Sequence, residues 1–187
     1  MRTKTHLARR SARPLALAIA CAVIALPASP ALAGSGGIGP DGGGGGGGGV
    51  SGKNAKLHDG LAKAPRSAPT RVKKVIAAAN DIAKGKGYCM GGGHGSWHDN
   101  CYDCSGSISY ALHGGDFVNS PMPSGSYMHW GRSHKGKWIT VYANEGHMYA
   151  IIAGLRFDTS MTPGEGPGWS KNMRDNGGFR ERHPRHF

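Results

Sequence analysis

Residues 139–158 read ITVYANEGHMYAIIAGLRFD and begin with the two-residue apolar alternation that is typical of a β-strand. Residues 144–146, Asn-Glu-Gly, form a turn signal, and a second run of strand-forming residues covers 147–153. A tight break at Ala153-Gly154 precedes a third run, residues 155–158. Because these connections are too short for parallel crossovers, the segment predicts an antiparallel meander of three strands.

Two helices are predicted upstream of this meander. Apolar residues recur at three- and four-residue steps from Thr70 to near Gly85, namely Val72, Val75, Ile76, Ala79, Ile82 and Ala83. A second, shorter helix begins at Cys104 and ends at residues 114–115. The order of helix, helix and meander indicates an α+β fold. Residues 180–186 add a terminal edge strand followed by a basic tail.

The first 33 residues have the pattern of a secretory signal peptide. Residues 1–13 carry five basic residues and no acid, residues 15–26 are apolar, and Ala31-Leu32-Ala33 offers a small-x-small cleavage site. A membrane anchor is the weaker alternative, because the apolar run is short and Pro27 and Pro30 follow it. A lipidated Cys21 is a second alternative, but the residues before it, Ala18-Ile19-Ala20, match the lipobox of lipoproteins poorly. The expected location is therefore secreted, with no integral membrane segment after cleavage.

A glycine-rich tether is predicted behind the leader, over residues 34–69. Residues 42–49 are all glycine, and a chain of this composition behaves as a flexible coil. Residues 53–69 remain polar and rich in Lys, Pro and Ala. The folded domain is therefore expected over residues 70–187, which suffice for one compact core.

The chain is basic, with 23 Lys+Arg against 11 Asp+Glu and a formal charge of +12. Removal of the leader leaves +7. Such a charge favours an anionic partner surface, such as cell-wall polymer or peptide carboxylates, although solubility alone would also explain it. Nucleic acid is not an expected partner, since the sequence has no recognition-helix, zinc-finger or stacking motif.

Cys104 and His147 are the candidate catalytic pair. A thiolate is the reactive form of cysteine, and a helix N-terminus or a protonated histidine lowers a thiol pKa. Cys104 lies at a predicted helix start, and His147 on a facing strand would move the proton during acyl transfer. A buried inert cysteine and an unrelated polar histidine are the alternative.

Three motifs in order resemble the NlpC-type cell-wall peptidases with a papain-like fold. Residues 102–106, Tyr-Asp-Cys-Ser-Gly, followed by a helix, look like the aromatic-D-C-S-G nucleophile motif of that family. Upstream, Tyr88-x-x-Gly91-Gly92 is similar to the Y-x-W-G-G segment, with Met90 at the tryptophan position. Residues 147–152, His-Met-Tyr-Ala-Ile-Ile, resemble the H-V-G-I-Y strand.

The resemblance implies roles for single positions. Cys104 matches the nucleophile, His147 the general base and Tyr88 the tyrosine that assists around the oxyanion. The resemblance also implies a third polar residue on the strand after the histidine, to orient the imidazole. Backbone N–H groups near Cys104 would complete an oxyanion hole.

Asp158 is the candidate for that third residue, and strand register tests the choice. If Ala153 and Gly154 form the tip of the hairpin, Asp158 faces Tyr149, on the same sheet face as His147 and one diagonal step away. Ser160 would then face His147 directly and is the rival. A three-residue turn would shift the register and favour Thr159.

The remaining predictions concern the three cysteines that follow the predicted signal peptide, Cys89, Cys101 and Cys104. In an exported chain, Cys89 and Cys101 bracket one loop and are expected to form a disulfide that leaves Cys104 free. A Cys101–Cys104 pairing would consume the nucleophile. A zinc site using Cys89, His94, His98, Cys101 and Cys104 is the alternative, but export favours oxidation of such cysteines. No metal or cofactor is expected.

Together these features predict a monomeric, secreted cysteine hydrolase, and the resemblance implies that it cleaves amide bonds in peptidoglycan stem peptides. The papain-like scaffold also supports amidases and acyltransferases, so other substrates are an alternative. A catalytically silent module that binds the cell wall is the alternative from another class.

Overall fold

The computed structural model describes residues 49–160 and 165–187, which belong to a compact unit spanning Gly44–Phe187. The predicted signal peptide and the octaglycine run up to residue 48 lie outside the described residues and stay predictions. Among the described residues, no helix has the length and apolar character needed to cross a membrane.

The described chain alternates short strands with three helices. In chain order its elements are β1 (Lys56–His58), β2 (Leu61–Lys63), α1 (Thr70–Ala83), α2 (Cys104–Gly114), α3 (Ser124–Tyr127), β3 (Arg132–Ser133), β4 (Ile139–Ala143), β5 (Met148–Ile152), β6 (Leu155–Asp158), β7 (Gly168–Ser170) and β8 (Arg180–His183). The sheet of six strands has the order β3-β8-β4-β5-β6-β7, and every pairing in it is antiparallel. The α+β prediction is therefore confirmed.

The hydrophobic core lies between the helices and one face of this sheet. This inner face consists of fully buried apolar side chains from three neighbouring strands, including Ile139, Val141, Ala143, Met148, Ala150, Ile152 and Phe157. Helix α2 packs against β5 and β6. Helix α1 packs on α2 so closely that a side chain at Gly114 would approach Ala78 Cβ to 2.4 Å. Close helix contact of this kind requires a glycine.

The β5–β6 hairpin has the register that its sequence predicts. Ala150 pairs with Phe157, and the tip consists of Ala153 and Gly154, which both have positive φ angles of 46° and 81°. Two-residue hairpin turns need this left-handed geometry to match the strand twist. Because the register continues to Asp158, the Asp158 side chain projects from the outer face, opposite the core.

Residues 53–69 depart from the predicted flexible tether. Strands β1 and β2 form a small hairpin, and Ala55, Ala62 and Ala68 are buried. The Asn80 side chain of α1 binds both the N–H and the C=O of Ala62, at 3.0 and 2.9 Å. The boundary expected at residue 70 is therefore too late. The strands Lys-Leu-His and Leu-Ala-Lys are too short to show a clear period, and the contact that holds β2 comes from an asparagine 18 residues away.

The last strand also differs from its prediction. Strand β8 is not an edge strand, because it pairs with β4 on one side and with the two-residue strand β3 on the other. The polar composition of residues 180–183 suggested an edge. Arg182 is nevertheless accommodated next to β3, since its guanidinium donates to the carbonyls of Trp130 and His129.

Candidate active site

Cys104 is the first residue of α2, and Asp103 caps this helix. The Asp103 backbone is extended, with φ −82° and ψ −177°, and its carboxylate accepts a hydrogen bond of 2.7 Å from the Gly106 N–H. The unpaired N–H groups and the dipole at a helix N-terminus favour negative charge. The cap therefore places Cys104 at the N-terminal end of α2, the position that the sequence predicts for it.

A disulfide joins Cys89 to Cys101, with their Cα atoms 5.6 Å apart, and Cys104 is a free thiol. The predicted pairing is confirmed. It holds a turn in which Gly92 N–H donates to Cys89 C=O, and Gly92 C=O then accepts from Asp103 N–H at 3.1 Å. The loop is thereby attached to the residue that caps α2. Because Cys89 and Cys101 are joined in this bond, two of the side chains proposed for the zinc alternative are not free thiols.

His147 precedes β5 by one residue and reaches Asp158 on the neighbouring strand. Its Nε2 atom lies 3.0 Å from Oδ1 of Asp158, whose side chain is completely buried. The buried carboxylate fixes the orientation of the ring. Because Asp158 contacts Nε2, the other ring nitrogen, Nδ1, is available to a different partner.

The ionisation of His147 reflects both Asp158 and Cys104. Burial is the largest influence and lowers the pKa of the ring. Hydrogen bonds with Asp158 and Cys104, and the negative charges of both groups, outweigh burial and raise the pKa of His147 to about 9. Asp158 and Cys104 are thus the two neighbours that favour the protonated form of the imidazole.

Asp158 is stabilised as an anion by several neighbours. Ser160 donates to it from its backbone N–H at 3.0 Å and from its hydroxyl, and Arg174 Nη1 lies 3.2 Å from Oδ2. Burial alone would raise the pKa of Asp158, but His147 and the Ser160 hydrogen bonds lower this pKa to about 2. Of the three candidates for the third position, Asp158 contacts the imidazole, and Ser160 supports Asp158. Thr159 is buried beside them.

Two arginines near this carboxylate have no signal in the sequence. Arg174 follows Asp158 by 16 residues, and its guanidinium lies over the rings of Tyr149 and Phe179, at 5.2 and 5.3 Å. Arg156 Nε lies 3.6 Å from Asp158 Oδ2. Arginine at either position matches no motif or period, so sequence reasoning missed both.

Tyr88 stands at the open side of the site, with 39% of its surface exposed. Burial is the main cause that raises the pKa of Tyr88, and the negative charges of Cys104 and Asp103 raise it further. Its hydroxyl therefore stays protonated at neutral pH and is available as a hydrogen-bond donor near the sulfur.

His94 belongs to the junction between the loop and α2. Its Nε2 atom lies 3.1 Å from Asp103 Oδ1 and 3.0 Å from the Ser105 hydroxyl. Asp103 Oδ2 also accepts from the Gly91 N–H. Over the ranges that the structure describes, no group of three or more His, Cys, Asp or Glu side chains is arranged to hold a metal ion.

Comparisons with known proteins show a distant likeness to solved structures. No protein-family model matches the chain, and no curated protein matches it. Among solved structures, the P60 domain of an antigen from M. avium subspecies paratuberculosis is similar to it, with 20% sequence identity and a TM-score of 0.43. The similarity covers 60% of this chain and 93% of that one. The α+β arrangement and the geometry of the site stand on the chain's own residues.

Proposed function

We propose that this protein is a cysteine hydrolase that cleaves amide bonds through a thioester on Cys104. The observation that carries the proposal is the pairing of a free thiol at the start of α2 with His147, whose Nε2 is held by the buried Asp158. The nucleophile is the first residue of α2, the proton carrier is the residue before β5, and the orienting carboxylate is the last residue of β6. These are the parts that acyl transfer by a thiol requires.

Attack begins from the thiolate–imidazolium pair. The Cys104 sulfur adds to the carbonyl carbon, and the carbonyl electrons move onto oxygen. The oxyanion lies near the N–H groups that begin α2 and near the Tyr88 hydroxyl, both of which donate hydrogen bonds to it. Donors fixed in advance at this point typically contribute about 10²- to 10³-fold to the rate.

Collapse of this intermediate expels the amine. His147 donates its Nδ1 proton to the leaving nitrogen, and the acyl group remains on sulfur as a thioester. The neutral imidazole then removes a proton from water, which attacks the thioester and restores the thiolate. Asp158 keeps the ring oriented in both steps because its carboxylate accepts a hydrogen bond from the Nε2–H group throughout.

The proposed substrates are the stem peptides of peptidoglycan. Support for this class comes from the three ordered motifs that resemble the NlpC-type peptidases, centred on Tyr88, Cys104 and His147. The predicted signal peptide supports a secreted protein that meets the cell wall outside the membrane. The basic charge of the chain suits an anionic wall surface.

Digestion of purified peptidoglycan by the chain without residues 1–33 tests this proposal. Mass spectrometry of the released fragments should show cleaved stem peptides, and the Cys104→Ala variant should release none. Ser96→Ala, which changes an exposed hydroxyl, is the matched control and should digest like the wild type.

Three outcomes would contradict the proposal in different ways. Equal digestion by the wild type and Cys104→Ala would exclude the thioester route. Wall binding without digestion, together with a Cys104 thiol that resists alkylation, would indicate a silent binding module. A thiol that reacts readily but releases no stem peptides would indicate an amidase or acyltransferase with other substrates.

A further inference from the structure

A second concave site lies on the outer face of the sheet, and we name it the outer-face cavity. It has a volume of about 510 Å³, and the residues important for its chemistry are Lys135, Lys137, Trp138, Tyr142, Tyr149 and Arg174. Neither Cys104 nor His147 belongs to its lining. The cavity is therefore distinct from the reacting thiol.

Aromatic side chains form one wall of this cavity. Tyr142 and Tyr149 are directly paired across β4 and β5, and their rings stack with centroids 4.8 Å apart and planes at 5°. The neighbouring pair, Thr140 and Ile151, extends the wall along the same strands. This surface suits the apolar or aromatic body of a small molecule.

Cationic side chains form the opposite part of the lining. Among the described residues that line the cavity, three are cationic and none is Asp or Glu. Lys135 is partly balanced, because its Nζ lies 3.6 Å from Glu181. Lys137 is exposed, and its ammonium lies 6.0 Å from the centroid of the Trp138 ring. Arg174 is likewise paired with the buried Asp158, so the net positive charge at the cavity comes from Lys137, and this charge favours an anion.

Arg174 presents a guanidinium that is only partly used. Its hydrogen bonds to described residues, Asp158 and Ser160, both come from Nη1. Stacking over the Tyr149 ring holds the guanidinium plane in place. The remaining N–H donors of an arginine fork match the geometry of a carboxylate. Arg174 thus lines the cavity with N–H donors that no described residue accepts.

From these features we propose that the outer-face cavity binds an organic carboxylate with an apolar or aromatic body. The carboxylate contacts Arg174 and Lys137, and the body lies against the Tyr142–Tyr149 wall. This binding site is additional to the proposed hydrolase site. Because Arg174 also contacts Asp158, a ligand in the cavity would lie one side chain away from the His147–Asp158 pair.

Calorimetric titration with three probes tests the proposal on the chain without residues 1–33. N-acetyl-L-phenylalanine has both a carboxylate and an aromatic body. Its carboxamide keeps the aromatic body but has no charge, and acetate keeps the carboxylate but has no aromatic body. The carboxylate should bind about tenfold more tightly than each of the other two. Lys137→Gln should weaken that binding about tenfold. Lys84→Gln removes the same charge from an exposed lysine outside the cavity and should leave binding unchanged.

NMR locates the bound probe. The amide signals of Gly136 and Gly154, which line the outer-face cavity, should shift on titration, whereas that of Gly114 should not. Equal affinity for the acid and the carboxamide, equal effects of the two lysine variants, or shifts at Gly114 alone would each overturn the proposal. Since no readout depends on catalysis, failure here leaves the proposed hydrolase function intact.

Discussion

His147 Nε2 and Asp158 Oδ1 lie 3.0 Å apart, although His147 precedes β5 and Asp158 ends β6, eleven positions later. The β5–β6 register, fixed by the hairpin tip at Ala153-Gly154, places Asp158 on the outer face, where its carboxylate meets the His147 ring. The chemistry proposed for the site depends on this contact.

Asp158→Asn keeps the size of the side chain but removes its charge. We expect kcat to fall by roughly 10²- to 10⁴-fold, because a neutral partner stabilises the imidazolium less and permits the wrong tautomer. Ser160→Ala removes one hydrogen bond to the carboxylate and should cost much less. Steady-state kinetics on a muropeptide measures both, and a smaller loss for Asp158→Asn than for Ser160→Ala would contradict the assignment.

Arg174→Gln removes a positioning cation from Asp158. The Asp158 anion then depends on His147, Ser160 and Arg156, so kcat should fall by about tenfold while KM changes little. The alkaline limb of the pH profile should move upward, because loss of a nearby positive charge favours protonated His147. Lys171→Gln removes an exposed charge from the same segment and is the control. Equal kinetics for both variants would refute this role.

Tyr88→Phe tests the proposed oxyanion donor. The phenyl ring keeps the packing but removes the hydroxyl near Cys104, so kcat should fall by about 10- to 100-fold with little change in KM. Tyr110→Phe changes a tyrosine on α2 and serves as the comparison. A change in KM alone would show that Tyr88 binds substrate without stabilising the transition state.

The raised pKa of His147 predicts a pH dependence of stability. Its folded value of about 9 exceeds the unfolded value of 6.5. The stabilisation is therefore fully present below pH 6.5 and is lost as pH rises through 9, with a loss on the order of 2 kcal/mol. Urea unfolding at several pH values should show this decline, and His147→Asn should abolish it. Unchanged stability of the wild type from pH 6.5 to 9.5 would contradict the assignment.

Asp158 contributes in the opposite direction. Its folded pKa of about 2 lies below the ordinary value of 3.8, so its stabilisation is present above pH 3.8 and is lost as pH falls through 2. In the same urea experiment, Asp158→Asn should flatten the acid side of the curve. His147→Asn should flatten the alkaline side.

Reduction of the Cys89–Cys101 bond should destabilise the folded chain. The bond closes a short loop, and loops of this size typically contribute about 2–3 kcal/mol to the free energy of unfolding. Urea unfolding with and without a reductant measures the difference. The Cys89→Ser/Cys101→Ser double variant should match the reduced wild type and show no response to reductant. A response in that variant would assign the effect to another cysteine.

Local sequence was sufficient to predict the β4–β6 meander and the position of Cys104 at a helix start. Alternating side chains and the Ala153-Gly154 break predicted the register, because side chains on a strand alternate between faces. The placement of Cys104 at a helix start followed from the turn residues before it and the apolar positions after it. The Cys89–Cys101 pairing followed from the spacing of the two cysteines and from the predicted export of the chain. Each of these features depends on neighbours within one loop or one hairpin.

Long-range contacts could not be derived in the same way. The β1–β2 hairpin is held by Asn80, and β8 inserts between β3 and β4, although neither segment carries a strong period. The position of a short polar strand depends on which neighbouring strand offers unpaired backbone N–H and C=O groups. Such a partner is identified only after the chain has folded.

The sequence by itself determined the α+β class, the hairpin register and the thiol at the start of α2, since all three arise from short-range alternation and turn geometry. Only the tertiary structure decided the electrostatic surroundings of the site. Arg174, Arg156 and Ser160 converge on Asp158, and His94 joins Asp103 at the other side of Cys104. The energy of a buried charge depends on every group near it, and those groups come together only when distant segments pack.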